Sequence, residues 1–474
     1  MSLANLNLSK AFSSQYEEKT LENLPIHGEI PGWLSGSFVS NGPAQFEVGS
    51  THFDHWFDGF AMLKKFDFKA GVVSFQNRFL RSTQYIESNK HKQLKDNEFG
   101  TWASSSIFPR IQGAIRGLIN GASYDNCNVN TCRIAETWLA MTESSNINTF
   151  DVNDLSTIGA FKFNDAIRSQ LTLAHPHFDR AKGELINVSI DIGRFSNYHV
   201  YKIDPVTKRR HIIQTYSSDK LFYHHSFSLT TNYIILFKSP LLINKYKLML
   251  GYPFNETLQF HQNLSSFFII IDRRNGKIVE IETESFVCLH SVNAYEYGSE
   301  IILDLVCYGD GNPYDKLYLA KLRSTDYSLS AGEIRRYVIN PASKNSHYTT
   351  VSAKIHEFPR INYALNGNNY QFAYTTMLNH PADNFFNALQ KLAMQTGNIT
   401  RWQKPNYYLG EAVFVAKNGS LDEDEGVLLT IAFDLTTQSS ALVVIDAQSM
   451  QQIAEVCIPL HLPFGLHGNF YINR

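Results

Sequence analysis

Residues 285–298 read SFVCLHSVNAYEYG. Phe286, Cys288, His290, Val292 and Ala294 share one parity, so in an extended strand they share one face. An imidazole on an otherwise apolar face needs a partner: a backbone group, as for an ordinary core histidine, or something it ligates. His290 is not isolated. Three strings of similar character lie at Ala174-His175-Pro176, His225-Ser226-Phe227 and Leu466-His467-Gly468. The four histidines are separated by 50, 65 and 177 positions. That spacing is unlike a local zinc motif and fits ligands that converge from separate elements. Four neutral imidazoles suit a borderline divalent transition metal.

Outward from this stretch the chain is a succession of short β-type runs: GSFVSNGP (36–43), GVVSFQNRFL (71–80), ELINVSI (184–190), NYIILF (232–237), FFIIID (267–272), EIILDLVCY (300–308) and ALVVID (441–446). Turn residues separate them, as at Asn41-Gly42-Pro43, Asp58-Gly59, Arg274-Asn275-Gly276 and Asp310-Gly311-Asn312-Pro313. Many short strands over so long a chain without an evident break favour an all-β propeller; with no clear repeat, periodicity does not give the blade number. Residues 1–25 read as a polar N-terminal surface arm, and 26–474 as a single catalytic domain. Two stretches depart from the β pattern. In 106–121, SIFPRIQGAIRGLING, Ile111, Ile115, Leu118 and Ile119 fall at helical spacing beside Arg110 and Arg116; in 240–254, PLLINKYKLMLGYPF, apolar residues mix with Lys245 and Lys247. Each reads either as an amphipathic helix in a membrane interface or as an ordinary packed helix.

The composition narrows the function. Of 474 residues 43% are hydrophobic, enough for a sizeable core, and a net charge of −2 offers no basic field for nucleic acid. Five cysteines, odd in number and without CxxC spacing, suggest neither a disulfide framework nor a thiolate zinc site. No apolar run is long enough to span a bilayer and the first residues do not read as a signal peptide, so the expectation is a cytoplasmic protein associated peripherally with membranes. The chain has no GxGxxG, P-loop, HExxH or GxSxG string, consistent with chemistry that needs no nicotinamide site.

From about Pro31 to Phe470 the chain resembles the carotenoid cleavage oxygenase family, which includes the β-carotene oxygenases and a retinoid isomerase. The strings that carry the resemblance are GSFVSNGP, FDGFAMLKKFDF, RFLRSTQY, DNCNVN, LTLAHPHFD, YHHSFSLT, LHSVNAYE, HEFPRINY, DEDEGVLLT and PFGLHG. It implies a seven-bladed β-propeller with a loop dome, Fe2+ as the metal, and His175, His225, His290 and His467 as its ligands. It also implies that Glu143, Glu357 and Glu411 orient the imidazoles without binding the metal. His177 shares strand parity with His175, so only the family string separates them. His225 shares parity with Tyr223, Phe227 and Leu229, which marks it rather than His224 as inward. His55, in FDHWFDG, matches a family string that is not a ligand. Fe2+ with three carboxylates gives a centre of about −1. The segment after EFGT lacks the Cys-containing string of the animal enzymes, which points to a microbial member.

Four ligands on a six-coordinate ion leave two positions free. Converting one C=C bond and O2 into two C=O groups balances atoms and electrons, so no reductant is needed. With this balance, the activity the resemblance implies is oxidative cleavage of a carotenoid or apocarotenoid to aldehydes, with β-carotene to retinal as the specific case. The alternatives are cleavage or isomerisation of another apolar alkene, of stilbene or retinoid type, and a lipid-binding propeller whose metal is structural.

Overall fold

In a computed structural model, residues 8–104, 124–309, 311–324, 327, 329, 332–380 and 383–472 are described. Seven antiparallel sheets are arranged as the blades of a β-propeller. Numbered around the ring from the blade that holds Gly36–Gln45, their inner strands are Gly468–Tyr471 (blade I), Asn130–Ile134 (II), the interrupted Leu171–Thr172 and His177–Asp179 (III), Ser228–Leu229 (IV), Val287–Tyr297 (V), His356–Arg360 (VI) and Tyr407–Ala416 (VII). Blade I closes the ring, because the last strand, Gly468–Tyr471, pairs with Gly36–Gln45 from near the start of the chain. Ile26–Gly28 adds to the outer strand of blade VII, Gln452–Ile458, so the two ends of the chain are stitched together twice.

Burial follows position in a blade. Gly36–Gln45 is buried at every residue, whereas the outer strand of blade V, Asn345–Ser352, is mostly exposed. This explains why some runs read as continuously apolar and others as mixed. The GSFVSNGP and PFGLHG strings meet at the closure. A Cβ on Gly42 would lie 2.4 Å from the Gly465 Cα, so this approach requires glycine.

The parity reading of 285–298 holds only in part. Phe286, Cys288 and Ala294 share one apolar layer, but Val292 lies in the opposite one, with Val287, Leu289 and Tyr295. Two bulges cause the exchange. Cys288 and Ser291 pair with Cys307 and Leu305, three residues against two, and a second slip follows before Asn293. Each extra residue reverses the side-chain phase, and the second restores it by Ala294.

The segment 240–254 is not one amphipathic helix. It runs as a strand, Leu241–Ile243, and a single helical turn, Lys245–Met249, before a second turn at Phe254–Thr257. Asn244 accepts from the Tyr246 and Lys247 amides and so starts the first turn, while the strand is held by pairing with Leu258–Phe260. The stretch 106–121 lies outside the described residues.

Within the arm read at 1–25, the described part begins with a 3-10 turn, Leu8–Phe12, that is docked into the body. Phe12 is fully buried, its ring against Trp56, Phe385 and Phe464. Truncating a buried Phe to Ala typically costs about 3–5 kcal/mol. Phe12→Ala should therefore lower the urea midpoint substantially; a loss below about 1 kcal/mol would show the docking to be superficial.

Candidate metal centre

Blades I, III, IV and V each send one histidine to the propeller axis. The ligand-capable nitrogens of His175, His225, His290 and His467 lie within 4.8 Å of one another. His175 sits where the inner strand of blade III is interrupted: Pro176, which follows it, has no amide to give the ladder, and the strand resumes at His177. Ser226 donates to the Leu289 carbonyl at 2.7 Å and ties the segment bearing His225 to the one bearing His290. His467 precedes the closing strand, its amide on Val129 O at 3.2 Å. The spaced asparagines of DNCNVN connect these parts. Asn126 and Asn128 donate to the Gly59 carbonyl, and Asn130 donates to Ala174 O at 2.8 Å beside His175.

The other three blades each send a carboxylate. Nδ1–H of His225 donates to Glu143 at 2.5 Å, that of His290 to Glu357 at 2.5 Å, and that of His467 to Glu411 at 2.8 Å. A proton on Nδ1 leaves Nε2 as a bare lone pair. His225 and His290 Nε2 are then 3.3 Å apart, and His290 and His467 Nε2 3.2 Å apart, with no proton between either pair. His175 Nε2 is 3.1 Å from His225 Nε2. Converging lone pairs repel unless a cation lies between them. Imidazole–metal bonds of about 2.0–2.1 Å at right angles place neighbouring nitrogens roughly 3 Å apart, so the donor set fits a divalent transition metal in both chemistry and spacing.

Each carboxylate has a second partner. The Tyr223 hydroxyl lies 2.8 Å from both oxygens of Glu143, and the Tyr314 hydroxyl 2.5 Å from that of Tyr223. The Tyr308 hydroxyl donates to Glu357, whose other oxygen accepts the Phe358 amide at 2.9 Å. Arg360 forks onto Glu411, with Nε 2.8 Å and Nη2 2.7 Å from the two oxygens. Burial works to raise the Glu411 pKa, but Arg360 and His467 outweigh it and hold the carboxyl down to about 2. Burial likewise opposes ionisation of Glu357, and His290, Tyr308 and the Phe358 amide still bring its pKa below the usual carboxylate value. Burial, reinforced by the other three imidazoles, keeps His175 neutral. A dication, three carboxylates and one guanidinium sum to zero, which corrects the −1 reached without Arg360.

Backbone bulges aim three of these groups. In blade VI Glu357 and Arg360 pair with Thr376 and Tyr374; in blade VII Leu409 and Ala412 pair with Ala432 and Thr430. Both repeat the three-against-two slip at His290, and Glu357 and Glu411 lie in or beside the extra residue. Phe358, inside one bulge, has φ 51°, a strained conformation for a Phe.

Three histidines that neighbour these strings or match a family string lie elsewhere. His177 donates from Nε2 to Phe227 O at 2.9 Å and accepts the Tyr363 hydroxyl at 3.1 Å. His224 lies among the Tyr198, Phe222 and Phe237 rings. His55 is fully buried, donates to Tyr314 O at 2.9 Å and caps the turn Trp56–Asp58 in the dome. Over the centre lies a cavity walled by Trp56, Phe57, Leu317, Phe358, Phe386 and Leu466, into which His225, His290 and His467 open. Sequence reasoning missed Tyr308, Tyr314 and Arg360. Arg360 had a signal, standing three residues after Glu357 in HEFPRINY.

His290→Ala deletes a lone pair and strands the Glu357 charge, so it should abolish tight divalent-metal binding in anaerobic titration of the apoprotein. His177→Ala should leave that binding in place. Glu411→Gln keeps an acceptor for His467 and should weaken binding by about 10–100-fold, far less than His467→Ala. Equal losses for Glu411→Gln and His467→Ala would make the carboxylate a direct ligand.

The family described as retinal pigment epithelial membrane protein matches residues 12–471. The chain is 28% identical to the beta,beta-carotene 15,15'-dioxygenase of Gallus gallus, over 94% of each chain. It is also 28% identical to the mitochondrial carotenoid-cleaving dioxygenase of Mustela putorius furo, over 94% of this chain and 93% of that one. Among solved structures it superposes on cobalt-substituted Synechocystis ACO with a TM-score of 0.89 and 25% identity, covering 99% of this chain and 98% of the other. With 12–471 matched, the chain belongs to the retinal pigment epithelial membrane protein family, that of the carotenoid cleavage oxygenases.

Proposed function

We propose that the protein is an Fe(II) dioxygenase that cleaves a C=C bond of a carotenoid or apocarotenoid to two aldehydes, with β-carotene to retinal as the specific reaction. One observation carries the reading: lone pairs held toward a single point by buried carboxylates, at the floor of a cavity with aromatic and aliphatic walls. The names of the related dioxygenases supply the substrate class. Fe(II), when bound by His175, His225, His290 and His467, supplies the means of activating dioxygen. The chain does the rest. Glu143, Glu357 and Glu411 fix the imidazole directions, and the proton on each Nδ1 stays on the side away from the substrate. Trp56, Phe57, Leu317, Phe358 and Phe386 hold an apolar polyene and exclude water. Both oxygen atoms and all electrons of O2 end in the two carbonyls, so no reductant site is required.

Entry of such a substrate from a membrane is supported by the segment 240–254. Tyr246, Met249 and Leu250 are 79%, 54% and 60% exposed. At its other end the Phe254 ring packs against Phe99 and Tyr223, next to the centre. Among the described residues no helix is long and apolar enough to cross a membrane. The surface therefore suits docking on a bilayer rather than crossing it.

Chromatography of products after incubating Fe(II)-loaded protein with β-carotene and with apocarotenals tests the reading. Retinal from β-carotene is expected; oxygen uptake without aldehyde products, or no consumption of any polyene, overturns it. The membrane surface is tested separately by liposome flotation. Tyr246→Ser with Leu250→Ser should reduce flotation, since burying each such side chain contributes about 1.5–3 kcal/mol, and should leave metal content unchanged. Undiminished flotation removes this segment from the docking surface.

A further inference from the structure

Arg360 sets one His–Glu pair apart from the other two. Phenol hydroxyls, which are neutral, support Glu143 and Glu357, whereas a guanidinium forks onto Glu411. Among the described residues Arg360 is the one Lys or Arg that pairs with any of the three site carboxylates. Its Nη2 also donates to Gly468 O at 2.6 Å, next to His467 in the closing strand. The guanidinium is close enough to both His175 and His467 for its charge to work against protonation of either, so it acts on the same point the lone pairs face.

A cation so near a cation site weakens the attraction for a metal, and a neutral donor to Glu411 would have held its orientation without that cost. The charge has a use in the reading given above, on which this inference rests. Cleavage of C=C by O2 consumes no external electrons, so no partner reaction returns an oxidised iron to the ferrous state. In the absence of polyene, one electron can pass from Fe(II) to dioxygen, leaving ferric ion and superoxide. With three carboxylates alone the ferrous centre has net charge −1 and the ferric centre zero, so oxidation relieves a buried charge. With Arg360 the ferrous centre is neutral and the ferric one carries +1, so oxidation creates one. Net charge in a site of low dielectric is costly. We propose that Arg360 is a positioning residue that keeps the ferrous centre neutral and thereby protects Fe(II) from oxidation by dioxygen between turnovers.

The test measures the midpoint potential of the Fe-loaded protein, and the lifetime of its ferrous form in air without polyene. Arg360→Gln should lower the midpoint and shorten the ferrous lifetime by about tenfold or more, within the range of effects of groups behind metal ligands. Arg360→Lys keeps the charge but loses the fork. Its midpoint should stay close to that of the unaltered protein while Fe(II) affinity falls. Arg360→Gln combined with Glu411→Gln removes one charge of each sign and buries no unpaired ion, so it carries the test even where Arg360→Gln alone does not fold. Its midpoint should match the unaltered protein. A midpoint well above that value in the double variant, an unchanged one in Arg360→Gln, or an Arg360→Lys midpoint as low as that of Arg360→Gln overturns the proposal. A purely structural role through Gly468 would lower thermal stability, leave the Arg360→Gln midpoint alone and raise that of the double variant. Failure of the unaltered protein to take up Fe(II) would instead overturn the reading of the centre itself, and this inference with it.

Discussion

The structure depends on which nitrogen of three imidazoles carries the proton. Donation from Nδ1 to Glu143, Glu357 and Glu411 turns the Nε2 lone pairs of His225, His290 and His467 toward one point on the propeller axis. Neither half of the arrangement is stable alone. Carboxylates buried without cations carry a large desolvation cost, and lone pairs about 3.2 Å apart repel. A dication at the point where they meet satisfies both. Each of the seven blades supplies one group, so the centre exists only when the whole ring has closed in register. That makes the pairing of Gly468–Tyr471 with Gly36–Gln45 part of the chemistry, since His467 stands immediately before it.

Regular strands would not aim these groups. An unbroken β-strand points alternate side chains into the spaces between blades, not along the axis. The three-against-two bulges in blades V, VI and VII provide the rotation, and Phe358 at φ 51° is where the strain is visible. Such strain costs on the order of 1–3 kcal/mol and persists where surrounding contacts over-determine it. Here Phe358 is held by its amide on Glu357 and by its ring against His290, His467 and Phe386. In blade III a proline after His175 interrupts the strand and serves the same end by a different route.

The loops over the cavity are held to one another by polar contacts. His55 donates to Tyr314 O, while Asp58 accepts from the His55 and Gly100 amides and the Thr101 hydroxyl, so FDHWFDG reads as a clasp that keeps Trp56 and Phe57 over the cavity. Its resemblance to a family string thus has a structural cause away from the metal.

The sequence by itself determined the fold class and pointed to the four histidines that meet on the axis. Short β runs with turn punctuation, four dispersed His strings and the absence of cofactor motifs were legible because residue type alone carries them. The family strings added the blade number and the three glutamates. Tertiary structure alone decided everything that depends on strand pairing. Val292 left the face that parity assigned it because a bulge is a property of two strands, and one strand's letters do not record it. The segment 240–254 broke into a strand and short turns because pairing with Leu258–Phe260 outweighed its helical pattern. Arg360 and Tyr314 joined the centre through partners 51 and 91 residues away. The net charge of the centre rests on those long-range contacts, because burial and proximity, which fix electrostatics, exist only once the ring has closed.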